Sequence, residues 1–171
     1  MSKQIAFEIC IEMLEQRGYD VVLQDKEDLS IQAIKPDGNK MMVIFNSLPK
    51  FDSKSMKEVI GIMSECGVNH SLVIYEDDIT AATKNSLSQT NEMRVELFSE
   101  EDLQYNITKH RLQPKFERLS NEKGEEIKKE YGSKFGTLRV DKPIAQFYDY
   151  EKGDVIKITR AGGYITYRIV R

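Results

Sequence analysis

The sequence predicts an α+β protein in two domains, and three features point there. Residues 1–108 pass from a helix-period segment to a hairpin signal, then to alternating helix and strand signals. That order describes a mixed sheet with flanking helices. Residues 109–119 (KHRLQPKFERL) contain Pro114 and no clean period, so they read as an extended connector. Residues 120–171 offer a charged helix, a short strand, a brief helix and a final hairpin, which together make a small α/β module. A chain of 171 residues can hold two such units.

Taken in order, Ile5, Ile9 and Met13, with Phe7, Ile11 and Leu14 beside them, repeat at helical spacing. Ser2 is placed to cap this helix and Gly18 to end it. Tyr19–Leu23 reads as a strand. Leu29–Lys35 alternates apolar and polar residues, and Met41–Phe45 is an apolar run. Between them Pro36-Asp37-Gly38-Asn39 signals a turn, so the pair reads as a hairpin. Ser53 or Ser55 starts a helix through Met56, Val59, Ile60 and Met63 that Gly67 closes. Ser71–Tyr75 is an apolar strand, Thr80 starts a shorter helix to about Gln89, and Met93–Phe98 is a strand. Glu100 to about Thr108 is expected to be one last helix of this half.

In the second half Ser120 caps a charged helix that ends near Gly132. Gly124 lies inside it and weakens it by roughly 1 kcal/mol relative to alanine, so packing must hold it. Thr137–Val140 is a short strand. Asp141 is placed to N-cap a brief helix, with Pro143 in its first turn and Phe147 on its inner face. In Lys152–Arg171, Val155, Ile156 and Ile158 precede Ala161-Gly162-Gly163, a turn whose glycines permit positive φ. Tyr164, Thr166, Arg168 and Val170 then alternate with Ile165, Tyr167 and Ile169, a period-2 pattern.

Composition narrows the function classes. Charged residues at 31% and hydrophobic ones at 40% fit a globular protein. No apolar run approaches the roughly 20 residues of a membrane helix, and MSKQIAFEIC makes a poor signal peptide. Cys10 and Cys66 alone suggest a reducing setting and no disulfide framework. The net charge is −3, divided as −6 over residues 1–119 and +3 over residues 120–171. Neither part is a strong nucleic-acid footprint, so any such contact is local or shared with a partner.

Candidate chemistry is sparse. Cys66 and His70 are near neighbours, but a zinc site normally needs three or four protein ligands, so no metal is expected. There is no phosphate-binding loop or dinucleotide fingerprint, so no cofactor is expected. The N-terminal half resembles a restriction-endonuclease-like layout, in which an Asp and an acid-x-Lys motif hold a divalent metal. Asp37 and the Asp52-Ser53-Lys54 run match that motif poorly, because Asp37 falls in a turn and Asp52 at a helix cap. Glu76-Asp77-Asp78 forms an acidic loop after a strand. Lys157, Arg160, Tyr164, Tyr167, Arg168 and Arg171 mix cations with rings in the final hairpin. Such a set suits stacking on single-stranded nucleic acid, or a sheet face docked on protein. A free-standing nuclease and a single-strand binding module therefore stand as alternatives.

The wording of several segments is more specific. LRVDKPIAQFYDYEKGDVIKITR, followed by GGYITYRIV, resembles the C-terminus of the fifth-largest RNA polymerase subunit, shared by eukaryotic polymerases I, II and III. The archaeal member of that family has only this C-terminal domain. Tyr105-Asn106-Ile107-Thr108-Lys109-His110 resembles the family's N-I-T-x-H stretch. Arg17-Gly18-Tyr19, MMVIF, SLVIY and Thr80-Ala81-Ala82-Thr83-Lys84 follow the family's order, the last resembling its T-P-S-A loop. An N-terminal half of this kind is characteristic of the eukaryotic-type, two-domain subunit. The chain departs from the family in three places. Gln113-Pro114-Lys115-Phe116 lacks the second His of V-P-x-H, Asp141-Lys142-Pro143 has an extra residue, and Ala81 replaces a proline. These departures and a shorter N-terminal half suggest a divergent, virus-encoded copy.

The resemblance implies a non-catalytic structural subunit of a multisubunit DNA-directed RNA polymerase. A jaw domain (1–108) would lie near downstream double-stranded DNA, with Thr80 and Lys84 closest to it. A connector (109–119) would lead to an assembly domain (120–171) that docks on the largest subunit beside neighbouring subunits. Asp141, Pro143, Gly153, Asp154, Tyr164, Thr166, Tyr167 and Arg168 would shape or present that docking surface. A cellular copy would work in the nucleus, a viral copy in host cytoplasm and virion, and no membrane is involved.

Overall fold

The computed structural model describes residues 2–46, 50–80, 83, 93–132 and 134–171, with the side chain of residue 78 excepted. It is α+β and divides into two compact units, Met1–Tyr105 and Asn106–Arg171.

The first unit is built on a five-stranded mixed sheet in the order β1-β2-β3-β5-β7. Helix α1 (Lys3–Gln16) precedes β1 (Asp20–Asp25), β2 (Ser30–Ile34) and β3 (Lys40–Phe45), which form an antiparallel meander. Asp37 makes the β2–β3 turn by accepting the Asn39 N–H at 3.0 Å, and Gly38 supplies φ +88°. After β4 (Lys50–Phe51), helix α2 (Ser53–Cys66) crosses to β5 (His70–Tyr75), which lies parallel to β3. β6 (Asp78–Ile79) pairs with β4, and β7 (Arg94–Ser99) completes the sheet beside β5. The apolar runs of β3 and β5 suit central strands covered on both faces. Ile44, Val73, Val95 and Leu97 pack under Met56, Val59 and Met63 of α2. Phe45, on the opposite face of β3, meets Phe7 of α1 with ring centroids 6.0 Å apart.

The second unit holds a four-stranded mixed sheet in the order β8-β10-β11-β9. Its strands are β8 (Lys115–Arg118), β9 (Gly136–Leu138), β10 (Val155–Thr159) and β11 (Ile165–Val170). Helix α3 (Asn121–Tyr131) follows β8, and the short α4 (Pro143–Phe147) follows β9. Leu138, Ile144, Ala145, Tyr150, Ile156, Ile158 and Val170 form its core. On the other sheet face, α3 approaches β10 through Gly124. A Cβ added at Gly124 would sit 3.4 Å from Val155 Cγ2. Gly124→Leu therefore destabilises this unit by about 1–3 kcal/mol through overpacking. Gly124→Ala stays near neutral, because helix propensity offsets the tight contact. Denaturation midpoints of the two variants check the contrast.

Four expectations change. Ser2 occupies the N-cap position of α1, but its side chain makes no cap bond. Its carbonyl accepts from Ile5 and Ala6, and its N–H donates to Gln104 Oε1. The helix expected over Glu100–Thr108 is two 3₁₀ turns, Glu101–Leu103 and Ile107–Lys109. Asn106 separates them: its backbone is extended and its side chain accepts the Thr108 N–H, a local bond that competes with helix continuation. The expected connector contains β8, which pairs antiparallel with β10 and turns Phe116 onto the core. Four residues are too short for a period to show. Asp141 does not cap α4. Lys142 holds that position, extended as a residue before proline tends to be, and Asp141 turns back to Arg139. The helix expected from Thr80 to about Gln89 lies mostly outside the described residues.

Candidate docking surface

The final hairpin is held in phase by hydrogen bonds at both ends. Arg160 N–H donates to the Tyr164 carbonyl at 2.8 Å, and Val170 N–H to the Asp154 carbonyl at 2.9 Å. Gly162 (φ +86°) and Gly163 (φ +82°) close the tip. The expected docking residues separate into two groups along this hairpin.

Tyr164, Thr166, Tyr167 and Arg168 come together near the tip, lining a groove of about 340 Å³. Tyr164 is 66% exposed. Tyr167 packs on Tyr131 of α3 with centroids 5.7 Å apart, and Tyr131 meets Phe135 edge-on at 6.1 Å. Arg168 Nη1 donates to the Thr137 carbonyl at 2.9 Å, and its stem lies against Gly136. Thr166 Oγ1 is buried with no hydrogen-bond partner among the described residues.

The other four lie toward the base. Asp141 is exposed and pairs with Arg139 through Nε at 2.9 Å and a second contact to Nη2. The hydrogen bond from Arg139 holds the Asp141 carboxyl below its ordinary range. Pro143 is the first residue of α4. Gly153 takes φ +97° and donates its N–H to the Val170 carbonyl. Asp154 accepts the Glu151 N–H at 2.7 Å and binds Arg118 Nε at 3.0 Å, tying the turn before β10 to β8. At this end most of the expected residues have structural work: Pro143 starts a helix, Gly153 permits a turn and Asp154 locks it.

The sequence reading missed Tyr131, Lys134 and Phe135, which form the groove's far wall. The helix ends at Tyr131 and Phe135 follows its Gly132 cap, so no helical spacing relates the two rings. It also missed a buried charge cluster in the first unit. Arg17, with its side chain 2% exposed, grips Glu96 through two bonds of 3.0 and 2.9 Å, and His70 Nε2 lies 2.6 Å from Glu96 Oε1. Nothing local in the chain could have paired residues 79 positions apart. His70 is thus engaged with Glu96, and Cys10 and Cys66 are free thiols, Cys10 buried and Cys66 exposed.

Of the two residues expected nearest DNA, Thr80 Oγ1 accepts the Thr83 N–H at 3.3 Å and lies 2.7 Å from Thr83 Oγ1. Its hydroxyl is thus engaged with Thr83. Lys84 lies outside the described residues. Asp37 and Asp52 are committed to backbone donors, Asp52 accepting from Lys54 and Ser55 at 2.9 Å each as the N-cap of α2. The Ser55 N–H is the main reason the Asp52 carboxyl titrates below its ordinary value. Asp52→Ala should lower the melting temperature of the first unit, and Asp52→Asn, which keeps an acceptor, should lower it less. Thermal melts of the two variants check this. Among the described residues, no helix is long and apolar enough to cross a membrane.

Comparison with known proteins assigns the class. Residues 105–170 match the family described as RNA polymerase Rpb5, C-terminal domain. The chain is 30% identical to the "DNA-directed RNA polymerases I, II, and III subunit rpabc1" of Dictyostelium discoideum, over 93% of this chain and 92% of that one. It is 33% identical to protein 454R of Invertebrate iridescent virus 6, whose name provisionally assigns it to a DNA-directed RNA polymerase, over 97% of this chain and 98% of that one. With the Arabidopsis thaliana "DNA-directed RNA polymerase subunit 5-like protein 1" it shares 27% identity over 92% of this chain and 90% of the relative. The chain belongs to the RNA polymerase Rpb5 family, a family of DNA-directed RNA polymerase subunits that serve transcription. A viral relative that matches nearly end to end is consistent with a virus-encoded copy.

Proposed function

We propose that this protein is a non-catalytic subunit that docks on the largest subunit of a multisubunit RNA polymerase through its C-terminal module, beside neighbouring subunits. Residues 1–108 serve as the jaw, restriction-endonuclease-like in layout, and place Thr80 and Lys84 near downstream DNA. The assembly module takes in the Lys115–Arg118 strand as well as residues 120–171. The observation that carries the reading is the convergence of Tyr164, Thr166, Tyr167 and Arg168 on one groove at the hairpin tip. The local engagement of Asp37 and Asp52 supports a non-catalytic role. A cellular copy acts in the nucleus; a viral one acts in host cytoplasm and enters the virion.

Tyr164 tests the docking half cleanly, because its ring is largely exposed. Tyr164→Ala should reduce recovery of the largest subunit by roughly tenfold, as an aromatic anchor does, while leaving the melting temperature unchanged. Full recovery with the alanine variant would exclude Tyr164 from the interface. For the jaw, Lys84→Gln should flatten the salt dependence of downstream DNA retention by about one counterion. An unchanged slope would remove Lys84 from the DNA contact.

A further inference from the structure

The groove at the hairpin tip opens along the edge of β11 rather than over one face of its sheet. Thr166 and Arg168 on one face and Ile165 and Tyr167 on the other all line it. Its position follows from an unfinished ladder. β9 pairs with β11 only from Gly136↔Arg168 to Leu138↔Val170, so Ile165–Tyr167 extends beyond the start of β9. The even residues of β11 bond to β10, as Tyr164 and Val170 do. The odd residues therefore aim their backbone groups the other way. Gly136 meets the Tyr167 carbonyl side of this edge. Ahead of it, the Ile165 N–H and carbonyl and the Tyr167 N–H face the groove with no strand beside them among the described residues.

The lining sets the chemistry of an occupant. Lys134, Arg160 and Arg168 contribute three cations, and among the described residues no acidic one lines the groove, although the chain as a whole carries −3. Tyr131, Phe135 and Tyr167 pack on one another, which leaves the exposed Tyr164 ring to meet a base. Open backbone groups, a volume at the small end of the roughly 300–1,000 Å³ range for binding pockets, and a basic rim fit a peptide backbone better than a nucleobase.

We propose that β11 accepts an extended, acidic segment of a partner protein as an added strand. The segment's backbone would bond Ile165 and Tyr167, and its carboxylates would meet Lys134 and Arg160. The proposal rests on the reading that the hairpin tip is the docking end, and it specifies the partner's chemistry there.

The test uses the ¹⁵N-labelled full chain and two end-blocked heptapeptides, one alternating valine with glutamate and one valine with lysine. The glutamate peptide should shift the Ile165 and Tyr167 amides and slow their hydrogen exchange, binding about tenfold tighter than the lysine peptide at low salt. Ile165→Pro, which removes only an outward-facing N–H, and the pair Lys134→Glu with Arg160→Glu should each abolish those shifts while the core amides of Ile156 and Ile158 stay unchanged. Equal binding of both peptides, no binding, or binding that survives Ile165→Pro would overturn strand addition. Recovery of polymerase separates the two levels. If the wild-type chain binds neither peptide while the charge-reversed chain loses the largest subunit, docking stands and strand addition is removed. If the wild-type chain binds the glutamate peptide and the charge-reversed chain does not, yet that variant recovers the largest subunit normally, docking at the tip is removed and the strand site stands.

Discussion

Glu96→Leu should destabilise the first unit by about 3–5 kcal/mol, because it removes the carboxylate that makes two charged hydrogen bonds to the buried Arg17 guanidinium. The Arg17 side chain is 2% exposed and Glu96 13%, so water can do little to replace the lost carboxylate. The double variant Arg17→Met with Glu96→Leu should recover most of that loss, since replacing a whole buried ion pair by apolar side chains is often nearly neutral. A double-mutant cycle by urea denaturation measures the coupling. Additive losses would show that the pair is not energetically linked. The same cluster sets an acid limit. Burial pushes the Glu96 carboxyl up, but the Arg17 charge and the hydrogen bonds from His70 and Arg17 together outweigh it and hold the group at about 2, against an ordinary 4.5. A depressed carboxylate stabilises the fold fully above its unfolded value. Its contribution, of roughly 3 kcal/mol, should fade as pH falls from about 4.5 toward 2. The stability gap between wild type and Glu96→Gln should narrow over that window and stay constant above about pH 5.

Ile156→Ala should cost the second unit about 2–5 kcal/mol. Ile156 is fully buried in the central strand β10, with Arg118 of β8 on one side and Arg168 of β11 on the other. Its side chain belongs to the cluster that joins the sheet to α4, so the surroundings cannot collapse into the space without moving the sheet. Tyr164→Ala removes a larger side chain but an exposed one, and should stay within roughly 0.5 kcal/mol of wild type. Circular dichroism melts of both variants separate loss of fold from loss of docking. A strong stability loss in Tyr164→Ala would mean that the tip is part of the core and not a free surface.

Strong local signals in the chain were read correctly, and weak or distant ones were not. The β2–β3 hairpin followed from Pro36-Asp37-Gly38-Asn39, and the final hairpin from its alternation and paired glycines, because turn chemistry is written in adjacent residues. Helix α2 ends at Gly67 in the left-handed region, as the glycine suggested. β8 was missed because Phe116 alone faces the core from a four-residue strand whose partner, β10, lies far along the chain. Asp141 was misplaced because a preceding Arg139 competes for its carboxylate. Of the tip groove, the hairpin wall was visible as alternating rings and cations. The opposite wall, made by Tyr131, Lys134, Phe135 and Gly136, depended on where β9 stops pairing, which no local pattern encodes. The Arg17–Glu96 pair likewise required the fold to bring distant residues together.

The most direct test of the central claim is affinity capture of the tagged full chain from its native source under mild salt, with quantitative mass spectrometry of the partners. Membership in a polymerase through the C-terminal module predicts recovery of the two large catalytic subunits in near-equal amounts with the bait, and a sharp drop of both with Tyr164→Ala. Capture of folded bait without those subunits would contradict it.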